Sequence, residues 1–170
     1  QTARESHFAQ GNGMLGIRGI LEEVPVDAVP GTFIAGLYDQ TSAQETDLVN
    51  LPNPIHFKFT ADGEKLGVTA MDVLRHTRHL DMQNGLLVRH TLYQDSRKRR
   101  FDYQSIRFVS MEDKNMLVFR VYLTPLDRGA TITVKTDTDV GVHNVGVLTE
   151  GRKRHFKIVH VFQTRQQDFL

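Results

Sequence analysis

Over most of the chain, apolar residues recur at every second position, which is the spacing of half-buried β-strands. Ile55, Phe57 and Phe59 alternate with His56, Lys58 and Thr60. Ala61-Asp62-Gly63-Glu64 then reads as a turn before Leu66 and Val68. Asn84-Gly85 predicts a tight type I′ turn, because both residue types accept positive φ, and its arms would run Leu74–Met82 and Leu86–Gln94. The next strand would span Phe101–Met111, with Phe101, Tyr103, Ser105, Arg107 and Val109 on one side. After a turn at Asp113-Lys114-Asn115, the residues Leu117, Phe119, Val121 and Leu123 alternate as far as Pro125, which has no N–H to give a ladder. Ile132 and Val134 mark a further strand. Phe156, Ile158, His160 and Phe162 mark another, with Val159 and Val161 on its other face. Helical spacing is confined to a short stretch around Ala70–Leu74. Turn-separated strands of this kind predict an antiparallel β-sandwich. No repeat, low-complexity linker or internal boundary divides the chain.

The first fifty residues break this rhythm. Gly11, Gly13, Gly16, Gly19, Gly31 and Gly36, with Pro25 and Pro30, predict an irregular, turn-rich entry. Gly11-Asn12-Gly13-Met14-Leu15-Gly16 spells G-x-G-x-x-G, the glycine pattern of dinucleotide sites. That pattern needs a strand before it, a helix after it and a βαβ unit around it. Ser6–Gln10 is too short for a buried strand, and Gly19 breaks a following helix. The match is read as a glycine-rich loop, not as a nucleotide site.

Composition narrows the function classes. The chain has 170 residues, 21 Lys+Arg against 20 Asp+Glu, 8 His, no Cys and no Trp. The absence of Cys excludes disulfides, thiolate metal sites and thiol nucleophiles. A net charge of +1 argues against a dedicated nucleic-acid binder. No window reaches the roughly 18 uninterrupted apolar residues of a membrane span, and no secretory leader pattern is present. The first residue is Gln1 rather than Met, which leads us to expect a larger protein around this chain.

Candidate chemistry is sparse. Arg97-Lys98-Arg99-Arg100 and Arg152-Lys153-Arg154 are basic runs, and the first reads as a solvated hairpin tip between two strands. His76 and His79 would point to opposite faces of a strand, so they could not share a metal without a bulge. Glu22-Glu23 are adjacent acids, Glu45 and Asp47 lie in a polar stretch read as a loop, and Asp137 and Asp139 flank Thr138. Nothing separates these carboxylates from surface charge. Ser6, Ser42, Ser96, Ser105 and Ser110 lack a nucleophile-elbow context. No catalytic residue and no metal site is assigned.

A set of ordered motifs adds to this reading. Glu5-Ser6-His7-Phe8-Ala9-Gln10-Gly11-Asn12-Gly13-Met14-Leu15-Gly16-Ile17-Arg18-Gly19 resembles the opening of glycoside hydrolase family 65, ES-x-F-x-x-GNG-x-LG-x-RG. Pro30–Asp39 resembles PGTYIAGVYD, and Leu48–Asn53 resembles LVNLPN. Leu80–Arg89 resembles LDM-x-x-G-x-L-x-R, and Ser105–Met111 resembles S-x-RF-x-SM. That family holds maltose, trehalose, kojibiose and nigerose phosphorylases and some acid trehalases.

The resemblance implies an N-terminal β-sandwich of the galactose-mutarotase-like type, here incomplete, over residues 1–170. It implies that the catalytic acid, a Glu, and the phosphate pocket sit in a following (α/α)6 barrel absent from this chain. Such a phosphorylase uses inorganic phosphate as co-substrate, with no cofactor, and inverts an α-glucoside to β-glucose 1-phosphate. A trehalase-like hydrolase of the same family is the alternative. The implied partners are the chain's own barrel and a small disaccharide, with no nucleic acid and no membrane, in a cytoplasmic homo-oligomer. The chain alone is expected to be inactive. Asn12 and Arg18 are candidates for packing against the barrel. The competing reading makes Asn12 a turn cap and pairs Arg18 with a carboxylate inside the sandwich. A free-standing carbohydrate-binding sandwich would need exposed aromatic platforms, for which only Tyr38, Tyr93, Tyr103 and Tyr122 are on offer beside the phenylalanines. A scaffold domain acting through Arg97–Arg100 is the third reading. A partial sandwich leaves edges and apolar faces unpaired, which predicts oligomerisation or further strands.

Overall fold

A computed structural model describes residues 2–42, 45–145 and 152–153. The strand expected from Phe156 to Phe162 lies outside them. One short helix, α1 (Thr2–His7), precedes β1 (Gln10–Gly11), β2 (Leu15–Ile17) and β3 (Thr32–Ile34). Next come β4 (Tyr38–Ser42), β5 (Glu45–Leu48), β6 (Phe57–Ala61), β7 (Glu64–Leu66) and β8 (Asp72–Asp81). β9 (Leu86–Gln94), β10 (Arg100–Val109), β11 (Leu117–Pro125) and β12 (Ile132–Thr136) follow. β13 (Asn144–Val145) and β14 (Arg152–Lys153) end the described chain. Among the described residues every strand pairing is antiparallel. No helix among the described residues is long and apolar enough to cross a membrane.

The largest sheet runs β11-β10-β9-β8, and a smaller one runs β12-β6-β7. They face each other, because Phe59, Ala61 and Leu66 from the small sheet bury against Tyr93, Phe101 and Tyr103 from the large one. Phe59 and Tyr103 meet edge to face at 5.5 Å, Phe57 lies 4.8 Å from Phe119, and Phe57 and Phe59 lie nearly parallel at 5.9 Å. The odd-numbered residues of β9 and β10 form the buried face, which for β10 is the side the alternation predicts. A second cluster, Ile17, Ile55 and Val109, ties the β1-β2-β3 sheet to the far end of β10. The chain is therefore an all-β antiparallel sandwich whose glycine-rich entry forms a small sheet of its own.

Several local expectations are corrected. No helix forms around Ala70–Leu74: residues 68–70 are turn, and β8 has begun by Asp72. The helix that does form is α1, too short for its periodicity to register. Asn84-Gly85 is not a two-residue hairpin turn, since Asp81 pairs with Leu86 across a four-residue loop. Asp81 decides this by accepting hydrogen bonds from the Gln83 and Asn84 amides, at 3.0 and 3.1 Å. Relative to the expected turn the pairing shifts by an even step, so no side chain changes face. The type I′ geometry appears instead at Asp62-Gly63, with φ of 48° and 84°. Glu45 and Asp47 lie on strand β5 rather than in a loop.

Candidate functional site

The most concentrated chemistry lies on the buried face of the large sheet. Strand pairing sets Arg78 of β8 opposite Arg89 of β9, and Arg89 opposite Ser105 of β10. Arg107 of β10 stands one inward position further on, opposite Leu87. Like charges directly across a ladder repel, so this face needs anionic or carbonyl cover. The segment Gly19–Glu23 supplies it. Arg78 Nη1 donates to the Gly19 carbonyl at 2.9 Å, and Arg107 Nη2 donates to the Ile20 carbonyl at 2.9 Å. Three neighbouring strands thus each send one arginine to this single irregular segment.

Arg89 is the centre. Its Nη1 reaches Glu22 at 2.5 Å and Glu23 at 2.6 Å. Its Nη2 reaches Glu23 at 2.8 Å and the Tyr93 hydroxyl at 2.5 Å, and its Nε reaches Thr91 Oγ1 at 3.0 Å. Every guanidinium donor is used. The carboxylates are held from other sides as well. Tyr103 and Ser105 donate to Glu22 at 3.2 and 3.0 Å, and the Val68 amide and Tyr93 hydroxyl donate to Glu23 at 3.2 and 3.1 Å. Adjacent residues of an extended strand point to opposite faces. Glu22 and Glu23 converge because they form the corner of a turn closed by the Val24 amide donating to the Leu21 carbonyl at 3.0 Å. Val24 emerges with φ of 42°, a conformation that costs a branched residue about 1–3 kcal/mol.

The electrostatics follow the geometry. Burial works to raise the Glu23 pKa, but the hydrogen bonds and charge of Arg89 win and hold it below the ordinary value. Burial also opposes the Arg89 charge, and Glu23 and Glu22 outweigh it, so Arg89 stays firmly cationic. Burial raises Tyr93 and Tyr103, and the neighbouring carboxylates add to this, so both keep their protons. Among the described residues no carboxylate is in contact with Arg78. Burial first, then the Arg107 charge, pull it down to about 10, while its guanidinium stacks 4.1 Å from the Phe8 ring centroid. Glu23 is therefore a sealed structural anion, and Glu22 is buried beside it against Arg89, Tyr103 and Ser105.

Asn12 and Arg18 lie elsewhere in the entry. Asn12 is buried in the loop between β1 and β2. Its Oδ1 accepts from the Met14 and Leu15 amides at 3.0 and 2.8 Å, and its Nδ2 donates to the Ser110 and Lys114 carbonyls at 2.6 and 3.0 Å. Arg18 Nη2 lies 3.5 Å from Glu5 Oε2, which also accepts from the Val29 amide at 3.2 Å. The apparent dinucleotide motif is part of this β1–β2 hairpin, preceded by helix α1 and followed by strand. Gly19 is required for another reason: a Cβ there would lie 2.3 Å from Phe8 Cβ.

The remaining sequence candidates scatter. His76 and His79 share β8 but take opposite faces, and His76 Nδ1 sits 2.8 Å from Thr91 Oγ1. Among the described residues no group of three or more His, Asp or Glu could hold a metal ion. The run Arg97–Arg100 does occupy a hairpin tip, but it is not simply solvated. Arg99 folds inward onto Asp95 at 2.6 Å and Asp62 at 2.5 Å, and Arg100 pairs with Asp127 at 2.6 Å. Asp137 meets His56 and Lys58, while Asp139 caps Gly141. Tyr93 and Tyr103 are core residues; Tyr38 and Tyr122 are exposed. Sequence reading missed the Glu22–Glu23–Arg89 cluster. Its trace was an arginine at inward positions of two successive strands, beside the adjacent acids of an apolar entry.

Comparison with known proteins now adds the lineage. The family model described as "Glycosyl hydrolase family 65, N-terminal domain" matches residues 1–169. The chain belongs to glycosyl hydrolase family 65. This family 65 domain is 34% identical over 155 residues to a kojibiose phosphorylase of Caldanaerobacter subterraneus subsp. tengcongensis, covering 91% of the chain and 20% of that protein. It is 32% identical over 144 residues to a nigerose phosphorylase of Lachnoclostridium phytofermentans, covering 85% of the chain and 19% of that protein. A solved structure described as a putative kojibiose phosphorylase from human microbiome superposes with a TM-score of 0.73 at 19% identity, over 81% of the chain and 20% of that structure. At that identity the likeness speaks to the fold alone. The family 65 domain spans about a fifth of the length of these curated relatives.

Proposed function

We propose that this chain is the non-catalytic N-terminal domain of an α-glucoside phosphorylase, with the chemistry in a following (α/α)6 barrel. The observation that carries the reading is its likeness to kojibiose and nigerose phosphorylases over a fifth of their length. The domain's own geometry agrees: Glu22 and Glu23, its adjacent acids, are sealed against Arg89 instead of facing a cleft. The reaction would need one carboxylic acid, supplied by the barrel, to protonate the leaving oxygen. Inorganic phosphate would attack the anomeric carbon from the opposite face and give β-glucose 1-phosphate. A hydrolase would need a second carboxylate to activate water.

In this reading the sandwich is part of a larger mutarotase-like one, and the Asn12 and Arg18 loop region abuts the barrel. The protein is cytoplasmic and self-associates, with the disaccharide as its small partner and no cofactor. The test is to incubate the full-length protein with kojibiose, nigerose, maltose and trehalose, with and without phosphate. Phosphate-dependent release of β-glucose 1-phosphate is expected. Glucose release that ignores phosphate would replace the reading with the hydrolase one. Tight disaccharide binding by residues 1–170 alone would favour a carbohydrate-binding module.

A further inference from the structure

One end of the sandwich gathers three loops. They are the β1–β2 loop, the β8–β9 loop and the β10–β11 loop, bearing Met14, Met82, and Met111 with Met116 respectively. These four of the chain's five methionines are exposed, Met82 at 86% and Met111 at 72%. Between β1, the β8–β9 loop and the β10–β11 loop runs a groove of about 720 Å³, lined by Leu80, Met82, Phe108, Val109 and Met111 among others, with Met14 and Met116 outside its lining. Gln83, Asn84 and Glu112 also line it. The loops are held together rather than left loose. Gln10 Nε2 donates to the Gly85 and Arg107 carbonyls at 2.7 and 3.1 Å, so β1 is tied to the β8–β9 loop and to β10. Asn12 ties the β1–β2 loop to the β10–β11 loop. A preorganised apolar groove edged by adaptable thioethers is the anatomy of a docking site, not of solvated loop tips.

We infer that this methionine-edged groove is where the rest of the same polypeptide docks, with an apolar segment of the following domain seated between Met82 and Met111. The inference rests on the reading above, that this is one domain of a longer family 65 enzyme. It goes further in choosing the surface. The occupant is chosen on length: the curated relatives are about five times as long as their matched portion, so the nearest partner is covalently attached. An attached partner has a high effective concentration and needs only a modest apolar seat. Gln10 and Asn12 act in this as positioning residues, fixing the three loops in one arrangement.

The test uses the full-length protein. Hydroxyl-radical oxidation of Met82 and Met111 is read by mass spectrometry against the same residues in urea. About tenfold slower oxidation in the folded protein is expected, since sulfoxide formation follows exposure. Oxidation at the unfolded rate overturns the inference. Separately, Met82→p-benzoylphenylalanine is irradiated. An intramolecular cross-link at monomer mass, to a peptide beyond residue 170, is expected. Cross-links joining two copies, or protection that disappears on dilution, overturn it in favour of a self-association surface. Phosphorolysis is measured on the same preparation and fails independently. An active phosphorylase with freely oxidised Met82 loses the docking surface alone, and an inactive protein with a protected Met82 loses the activity alone.

Discussion

The two halves of one buried sheet face are covered in different ways. Toward Tyr93 and Phe101 the face is apolar, and the regular sheet of β6 and β7 lies on it. Toward Arg89 and Arg107 the face is charged, and the irregular segment Gly19–Glu23 lies on it. The difference follows from hydrogen-bond supply. In a sheet interior the backbone carbonyls are spent on neighbouring strands, so a sheet offers an arginine little beyond apolar side chains. A segment outside any ladder keeps its carbonyls free, and its turn at Leu21–Val24 brings two carboxylates together. Regular cover suits apolar burial, and irregular cover is what lets guanidinium groups be buried at all.

The largest effect should come from the charged half. Arg89→Met leaves Glu22 and Glu23 buried and unpaired, and urea unfolding should show a loss of about 3–5 kcal/mol. Adding Glu22→Gln and Glu23→Gln should recover much of that loss, whereas strictly additive losses would show that the three side chains do not act as one unit. In the apolar half, Phe59→Ala should also cost about 3–5 kcal/mol, here from lost burial and a cavity, with no change in pH dependence. Gly19→Ala forces the charged half's cover away from Phe8 and should cost about 1–3 kcal/mol; an unchanged melting temperature would show that the close approach is not needed.

A pH titration separates the halves more finely. Glu23 is held below its ordinary 4.5, so its contribution is complete above about pH 4.5 and is lost as the pH falls through the lower folded value. Stability of the parent protein should therefore decline in acid below that point, and Glu23→Gln should flatten the decline. Least affected should be the hairpin tip. Lys98 is largely exposed and sits 3.6 Å from an equally exposed Asp72, so Lys98→Ala should shift stability by no more than about 0.5 kcal/mol.

Much of the strand pattern was legible because the alternation is local. Phe101, Tyr103 and Val109 can be assigned to one face from sequence, and all are buried. Even Arg107 falls on the inward face by parity alone. What the pattern does not say is what an inward arginine meets. Arg107 donates from Nη2 to a carbonyl 87 residues earlier, in a segment whose turn has no periodic signature. Asn84-Gly85 shows the same limit on a smaller scale, because the preceding Asp81 captured the loop amides and set a different turn. Arg97–Arg100 reads as a run of four equal charges, yet Arg99 is buried between Asp95 and Asp62 while Lys98 is exposed.

By itself the sequence determined the fold class, the inward face of β10 and, through its ordered motifs, membership of family 65. These depend on spacing of two residues or on contiguous motifs, both of which survive in one dimension. Tertiary structure alone decided that Glu22 and Glu23 are sealed against Arg89, that Asn12 ties two loops together, and that four methionines share one end. Each depends on groups tens of residues apart being brought within hydrogen-bond reach, or onto one surface, and no local pattern encodes that convergence.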